Sequence, residues 1–216
     1  MTDPGSLPLD PACTPEAIEA RSFAIIDEAI PPPRPFSGHL WEVARRCVHT
    51  LGDTEIVADL RLSAEGAVAG VTALRSGCAV FTDTRMAAAG LPARRLEPFG
   101  VRVTALMSLP VAEREGCTRS RAAMLHVAEM MEGAIVAIGN APTALLTLLE
   151  ELERGAPPPA LIVGMPVGFV NAAQSKAMLA RSPWPHFTLL GTKGGSAVAA
   201  ACVNALAEIA LREGRR

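Results

Sequence analysis

Tyrosine is missing altogether from these 216 residues, and aromatic side chains make up only 4% of them. Few rings are therefore available to stack on bases, and no Lys/Arg-rich block offers a surface to a phosphate backbone. With a formal net charge of −2 as well, nucleic acid is not expected as a partner. No apolar run approaches the roughly 18 residues of a membrane span, so no membrane partner is expected. The opening Met1-Thr-Asp-Pro-Gly5 lacks the basic and apolar regions of a signal peptide, and a cytoplasmic location is expected. Cysteine is present five times, at 13, 47, 78, 117 and 202, without CxxC spacing. Neither a disulfide framework nor a zinc site follows from that pattern, and buried thiols are the simpler expectation. Lysine is scarce beside arginine, a bias that genome composition explains as readily as function.

What the chain has in quantity is apolar surface, at 50% hydrophobic residues. That suffices for one core, so a single domain over residues 14–216 is expected, behind a Pro-rich and polar arm at 1–13. Within it, Ala134–Ile138 is an unbroken apolar run, the pattern of a parallel strand buried on both faces. Gly139-Asn140 stops the run, and a helix is expected at once, with Asn140 as N-cap, Pro142 in the first turn and Leu145, Leu146, Leu148 and Leu149 as its apolar stripe. The plan then repeats twice. Ala160–Gly164 leads through a Gly-containing turn to a helix over 172–179, and His186–Leu190 leads through Gly191-Thr-Lys-Gly-Gly-Ser196 to a helix over 197–211.

Upstream, Thr14-Pro-Glu16 has the N-cap and N1 chemistry of a helix whose core stripe is expected at Ile18, Phe23, Ile25 and Ile26. A second helix from near Ser37 places Leu40, Val43, Ala44, Cys47, Val48 and Leu51 on one face and stops at Gly52. At about 100° per residue, His49 falls nearly opposite that stripe, toward solvent, a cleft or another subunit. Geometry alone does not separate a catalyst from a bystander there. Ile56–Leu62 reads as a strand or an extended connection, 64–74 as a helix, and Cys78–Thr82 as a strand ending in Asp83-Thr84-Arg85, with Asp83 a candidate N-cap. A strand over 101–107 and a helix over 118–131 complete the alternation, which defines a three-layer α/β/α sandwich with a mostly parallel sheet. The Met130-Met131 pair reads as core.

In such sheets the turns gather at the carboxyl edge, where helix N-termini offer free N–H groups and a positive dipole end. An anionic ligand is expected there. No turn has P-loop or dinucleotide-fingerprint spacing, so a nucleotide is disfavoured. Arg85, Arg119 and Lys193 are the basic side chains of that edge, and carboxylates gain from arginine forks and helix N–H groups together. Composition and spacing thus reach an anion-binding α/β domain and stop short of a reaction.

Several strings go further. Glu19-Ala-Arg-Ser-Phe-Ala-Ile-Ile26, Val48-His-Thr50 with Gly52-Asp53, Thr118-Arg-Ser120, Gly139-Asn-Ala-Pro-Thr-Ala-Leu145, Gly164-Met-Pro-Val-Gly-Phe-Val170 and Gly194-Gly-Ser196 together resemble the precorrin-8X methylmutases of cobalamin biosynthesis. The resemblance implies an isomerase that moves a methyl group from C11 to C12 of a corrin-type ring, without a redox cofactor or a metal of its own, as a homodimer. It implies that His49 protonates the macrocycle and that Ser22 and Arg119 contact the substrate, a tetrapyrrole polycarboxylate. Arg21, Asp83, Thr84, Arg85, Asn140, Thr143, Lys193, Gly194, Gly195 and Ser196 complete the candidate binding set. Thr192 and Gln174 depart from the family, which more often has Arg and Glu there. The different-class rival is a non-catalytic corrinoid carrier on the same fold.

Overall fold

The computed structural model describes residues 14–111 and 115–214, so the expected N-terminal arm lies outside the described residues. The chain runs α1 (Pro15–Ala29), α2 (Gly38–Leu51), β1 (Leu60–Leu62), α3 (Gly66–Arg75), β2 (Ala79–Thr82), α4 (Arg85–Ala89), α5 (Ala93–Leu96), β3 (Arg102–Ala105) and α6 (Arg119–Val127). It continues through β4 (Ile135–Ile138), α7 (Pro142–Glu153), β5 (Leu161–Gly164), α8 (Ala172–Leu179), β6 (His186–Leu189) and α9 (Ser196–Glu213). The six strands form one sheet in the order β1-β6-β5-β4-β2-β3. All neighbours are parallel except β1, which runs antiparallel to β6.

The continuous apolar runs of β4 and β5 are explained by what lies on each side of them. Successive strand side chains point to opposite faces. Ile135, Ala137, Leu161 and Val163 join the core beneath α2, α3 and α9, whereas Val136, Ile138 and Ile162 join the core beneath α6 and α7. Both faces are covered, so neither parity of residue can be polar. On the first face α2 lays Val43, Ala44, Cys47 and Val48, all buried, against α9, bringing the Cys47 and Cys202 sulfurs to 3.4 Å. Gly52 then ends α2 at φ 63°, its N–H donating to the Val48 carbonyl at 2.9 Å. That left-handed cap is glycine's territory.

Several expectations are corrected in detail. The N-cap of α7 is Ala141, not Asn140, and no side chain caps it. Losing a side-chain cap costs about 1 kcal/mol. Leu145, Leu148, Leu149 and Leu152 are buried, and each is worth roughly 1.5–3 kcal/mol, so packing decides that helix. Ile18 and Ile25 are exposed rather than core, leaving Ile26 as the buried residue of α1. Met130 is exposed while Met131 is buried. Residues 56–62 are a short 3₁₀ turn followed by the antiparallel β1. The Asp N-cap expected for α4 is Thr84, whose hydroxyl accepts from Ala87 N–H.

Gly139 is required by a close approach. A Cβ there would stand 2.5 Å from Ser196 Cα and 2.6 Å from Ser196 N, both backbone atoms at the start of α9. Gly139→Ala is therefore expected to lower stability by about 1–3 kcal/mol, as overpacking does. A urea midpoint unchanged from wild type would show that this junction yields without strain.

Candidate active site

Because β2, β4, β5 and β6 are parallel, their carboxyl ends and the helices that follow meet along one edge. The turns there are joined by a carboxylate. Asp83, only 1% exposed at the end of β2, accepts from the N–H groups of Gly139 at 3.0 Å, Asn140 at 2.7 Å and Ala141 at 2.8 Å. Both oxygens are thereby taken up by the β4–α7 turn. Asp83 builds the site instead of facing a ligand, and its negative charge satisfies donors that would otherwise be orphaned.

The neighbouring turns interlock in the same manner. Thr84 and Ser196 share a hydroxyl hydrogen bond at 2.9 Å, joining the β2–α4 turn to the first residue of α9. Gly195 N–H donates to the Met165 carbonyl at 2.8 Å, and Gly194 packs so tightly on that carbonyl that no side chain fits. Thr118 Oγ1 donates to Thr143 Oγ1 at 3.1 Å, joining the starts of α6 and α7. Arg85 and Arg119, both exposed, each place a guanidinium N–H at 3.3 Å from the Met107 carbonyl, and Arg85 Nε also donates to Ser108 Oγ at 3.0 Å. Two of the three basic side chains expected at the edge thus converge. Asn140 is exposed in the β4–α7 turn.

The third, Lys193, points the other way. Its ammonium pairs with Asp53 Oδ2 at 2.5 Å, while Asp53 Oδ1 accepts from Glu55 N–H at 2.9 Å. The lysine holds the Asp53 carboxyl below its ordinary range, and the aspartate raises the lysine in turn. The pair is exposed and screened, so it adds little to stability; its consequence is geometric, because Asp53 directly follows the glycine that caps α2.

At that cap lies the cleft of His49. It has a volume of about 260 Å³ and is lined by Ser22, Ile25 and Ile26 of α1 together with Val48, His49, Gly52, Asp53 and Thr54. Ser22 and His49, from different helices, are thus brought together, and the off-stripe position calculated for His49 does turn it into a cleft. The imidazole is half-buried in the last turn of α2. Its ring meets Phe23 edge-on at 5.4 Å between centroids. Phe23 is held in turn by the guanidiniums of Arg45 and Arg46, 4.4 and 4.7 Å from its ring centre. Arg46 pairs with Glu19 and Glu208, and its hydrogen bond keeps the Glu19 carboxyl low. Arg21 is exposed on the same helix as Ser22.

The candidates therefore fall into two groups, the Ser22–His49 cleft and the starts of α4, α6 and α7 with Arg85, Arg119, Asn140 and Thr143; the Lys193–Ser196 turn is bonded to Asp53 of the first and to Thr84 next to the second. Asp53 was part of a quoted string but not of the candidate set; its position just after a helix-capping glycine was the available signal. Lys176 was missed altogether. It lies on α8 with Ala172, Ser175 and Leu179, all buried, so a lysine in an otherwise core-facing stripe was the signal. Among the described residues no three His, Cys, Asp or Glu side chains gather as a metal site would require, and no helix is long and apolar enough to cross a membrane.

The fold and these side chains define the class: an α/β sandwich on a mostly parallel sheet, with a half-buried histidine in a cleft and arginines at the sheet's carboxyl edge. Comparison with known proteins narrows this. Residues 17–209 match the Precorrin-8X methylmutase family, and the chain belongs to it. It is 48% identical over 174 residues to a precorrin-8X methylmutase of Pseudomonas aeruginosa, covering 78% of this chain and 83% of that protein. It is 42% identical over 201 residues to a cobalt-precorrin-8 methylmutase of Salmonella typhimurium, covering 89% and 94%. The crystal structure of the precorrin-8X methylmutase of Thermus thermophilus superposes with a TM-score of 0.84 at 41% identity, over 92% of this chain and 99% of that one. The family is one of isomerases in cobalamin biosynthesis.

Asp83→Asn should be costly despite its near-identical shape. The amide has one acceptor oxygen where three N–H groups converge, and its own NH₂ would face a donor. A loss of about 2–3 kcal/mol is expected, the scale of hydrogen bonds to a charged group. Chemical denaturation checks it, and a variant within about 0.5 kcal/mol of wild type, the range of ordinary surface substitutions, would show that the carboxylate does not organise this edge.

Proposed function

We infer that the chain moves a methyl group from C11 to C12 of precorrin-8X or of its cobalt-containing counterpart, giving hydrogenobyrinic acid or the cobalt equivalent, with His49 as the general acid. The observation that carries the reading is the convergence of His49 and Ser22, from α2 and α1, on one cleft tied through Asp53 and Lys193 to the carboxylate-binding edge. The reaction is an isomerisation: the methyl group stays within one molecule, and no oxidant, reductant or co-substrate is consumed. What the protein must supply is orientation and a proton that is lent to the ring and taken back as the isomer forms, so that no net proton is consumed. An imidazole ring can both hold and give up a proton, which suits proton delivery to a macrocycle. Arg119 and Arg85, rigid forks at helix starts, suit the substrate's peripheral carboxylates.

The cleft needs a wall. Ile25, which lines it, is 58% exposed, and Phe169 and Val170 in the loop after β5 are 93% and 76% exposed. Uncovered apolar side chains of this kind fit the homodimer expected from the sequence, in which a second copy would exclude water from the bound ring. The reading places the enzyme in the cytoplasm. Light scattering at micromolar concentration is expected to give twice the chain mass, and a fully active monomer would contradict the arrangement.

His49→Ala is expected to abolish isomerisation while leaving the fold intact, since the imidazole is off the α2 core stripe. General acids are typically worth 10²–10⁴ in rate. Turnover within about tenfold of wild type would remove His49 from the mechanism. Absorbance spectra of wild type and variant with precorrin-8X separate binding with conversion from binding alone.

A further inference from the structure

Of the chain's 20 lysine and arginine residues only two are lysines, Lys176 and Lys193, and they meet. Lys193 is exposed on the β6–α9 turn, with its ammonium on Asp53. Lys176 is the opposite case, with no exposed surface at all, projecting from α8 within a stripe of buried residues. Its Nζ donates to the main-chain carbonyl of Lys193 at 2.5 Å. The charged side chain whose field acts on it is Asp59, just before β1, which favours the ammonium. Burying a cation against a neutral carbonyl is a net cost to the fold, and an apolar side chain of similar length would avoid it. Arginine would not serve, because a guanidinium brings five donors to a place offering one acceptor.

The turn that Lys176 holds is otherwise fixed through its neighbours. Thr192 carbonyl accepts from Gly168 N–H at 3.1 Å, Gly195 N–H donates to Met165, and Ser196 bonds Thr84. Between these fixed points only Lys176 grips the Lys193 main chain among the described residues, and Lys193 is the residue that reaches Asp53 beside the His49 cleft. We propose that Lys176 is a positioning residue of the active site: its buried ammonium anchors the Lys193–Ser196 turn and brings a positive charge to the main chain of that turn. This rests on the reading of that turn as part of the methylmutase binding edge.

A cost to stability with a gain in binding gives opposite signs in two measurements. Burial pushes Lys176 down to about 8, so the ammonium is charged below that pH and neutral above it. Because the unfolded chain still binds that proton up to the ordinary lysine range, the Lys176 contribution to stability rises as pH increases through this window. Product affinity is expected to move the other way, since a bond from a charged donor is stronger than one from a neutral amine.

The test compares wild type, Lys176→Met and Lys193→Ala by absorbance titration with hydrogenobyrinic acid between pH 7 and 9, alongside thermal melts. For Lys176→Met we expect a melting temperature equal to or above wild type, product affinity about tenfold weaker at pH 7, and no further change up to pH 9. Wild type should weaken about fivefold over the same range. Equal affinity for Lys176→Met and wild type, with Lys193→Ala weakened, would overturn the role of Lys176 while leaving the turn in the site. Unchanged affinity in both variants would overturn the reading of the turn itself. Should Lys176→Met fail to fold, Lys176→Gln, which removes the charge but keeps a donor, takes its place: product affinity equal to wild type at pH 7 refutes the proposal.

Discussion

One buried carboxylate sets the geometry on which the functional edge depends. Asp83 receives three successive backbone N–H groups from the turn after β4, so the ends of β2 and β4, neighbours in the sheet, are locked in both direction and depth. A turn with three unpaired donors would be costly to bury, and a carboxylate without donors more so; each makes the other tolerable. With that junction fixed, Gly139 can lie directly against the first residue of α9, and Ser196 can reach Thr84. The remaining contacts of the edge are short-range consequences of this arrangement.

The edge separates two kinds of chemistry. At the α1–α2 end a half-buried histidine sits in a cleft with Ile25, Ile26 and Val48, its ring edge-on to Phe23. At the starts of α4 and α6 the exposed Arg85 and Arg119 both rest on the Met107 carbonyl. The histidine cleft and the paired arginines thus occupy different regions of the structure. The β6–α9 turn lies between them and is the piece whose position both ends share.

Much of this order was written in the pattern of the chain. The parallel strands were legible because burial on both faces forces unbroken apolar runs, and the off-stripe angle of His49 followed from helical periodicity alone. Capping was less legible. Asn140 and Asp83 both have good N-cap chemistry, yet the first contributes only its backbone N–H to the bond and the second is consumed by a distant turn, since tertiary partners outbid local ones. Ile18 and Ile25 read as core because they are apolar; what decides their exposure is which neighbours α1 has, and spacing within one helix carries no such information. The grouping of Arg85 with Arg119, and of Lys193 with Asp53 instead, likewise depends on strand order, which single-chain periodicity does not encode.

The helix α9 carries a consequence of another kind. Its buried positions include Ala199, Ala200, Ala201, Ala205, Ala207 and Ala210, and α2, α3, α4 and α5 all pack on it. Alanine permits such close approach because it brings almost no volume, and for the same reason it leaves nothing that could rearrange to absorb a larger neighbour. Homologous variation should therefore be lopsided across the molecule, permissive where leucines of α7 can trade shape with their surroundings and stringent along one alanine-lined spine. The rate at which sequence drifts on the two faces of the sheet would then be a record of side-chain volume, independent of distance from the chemistry.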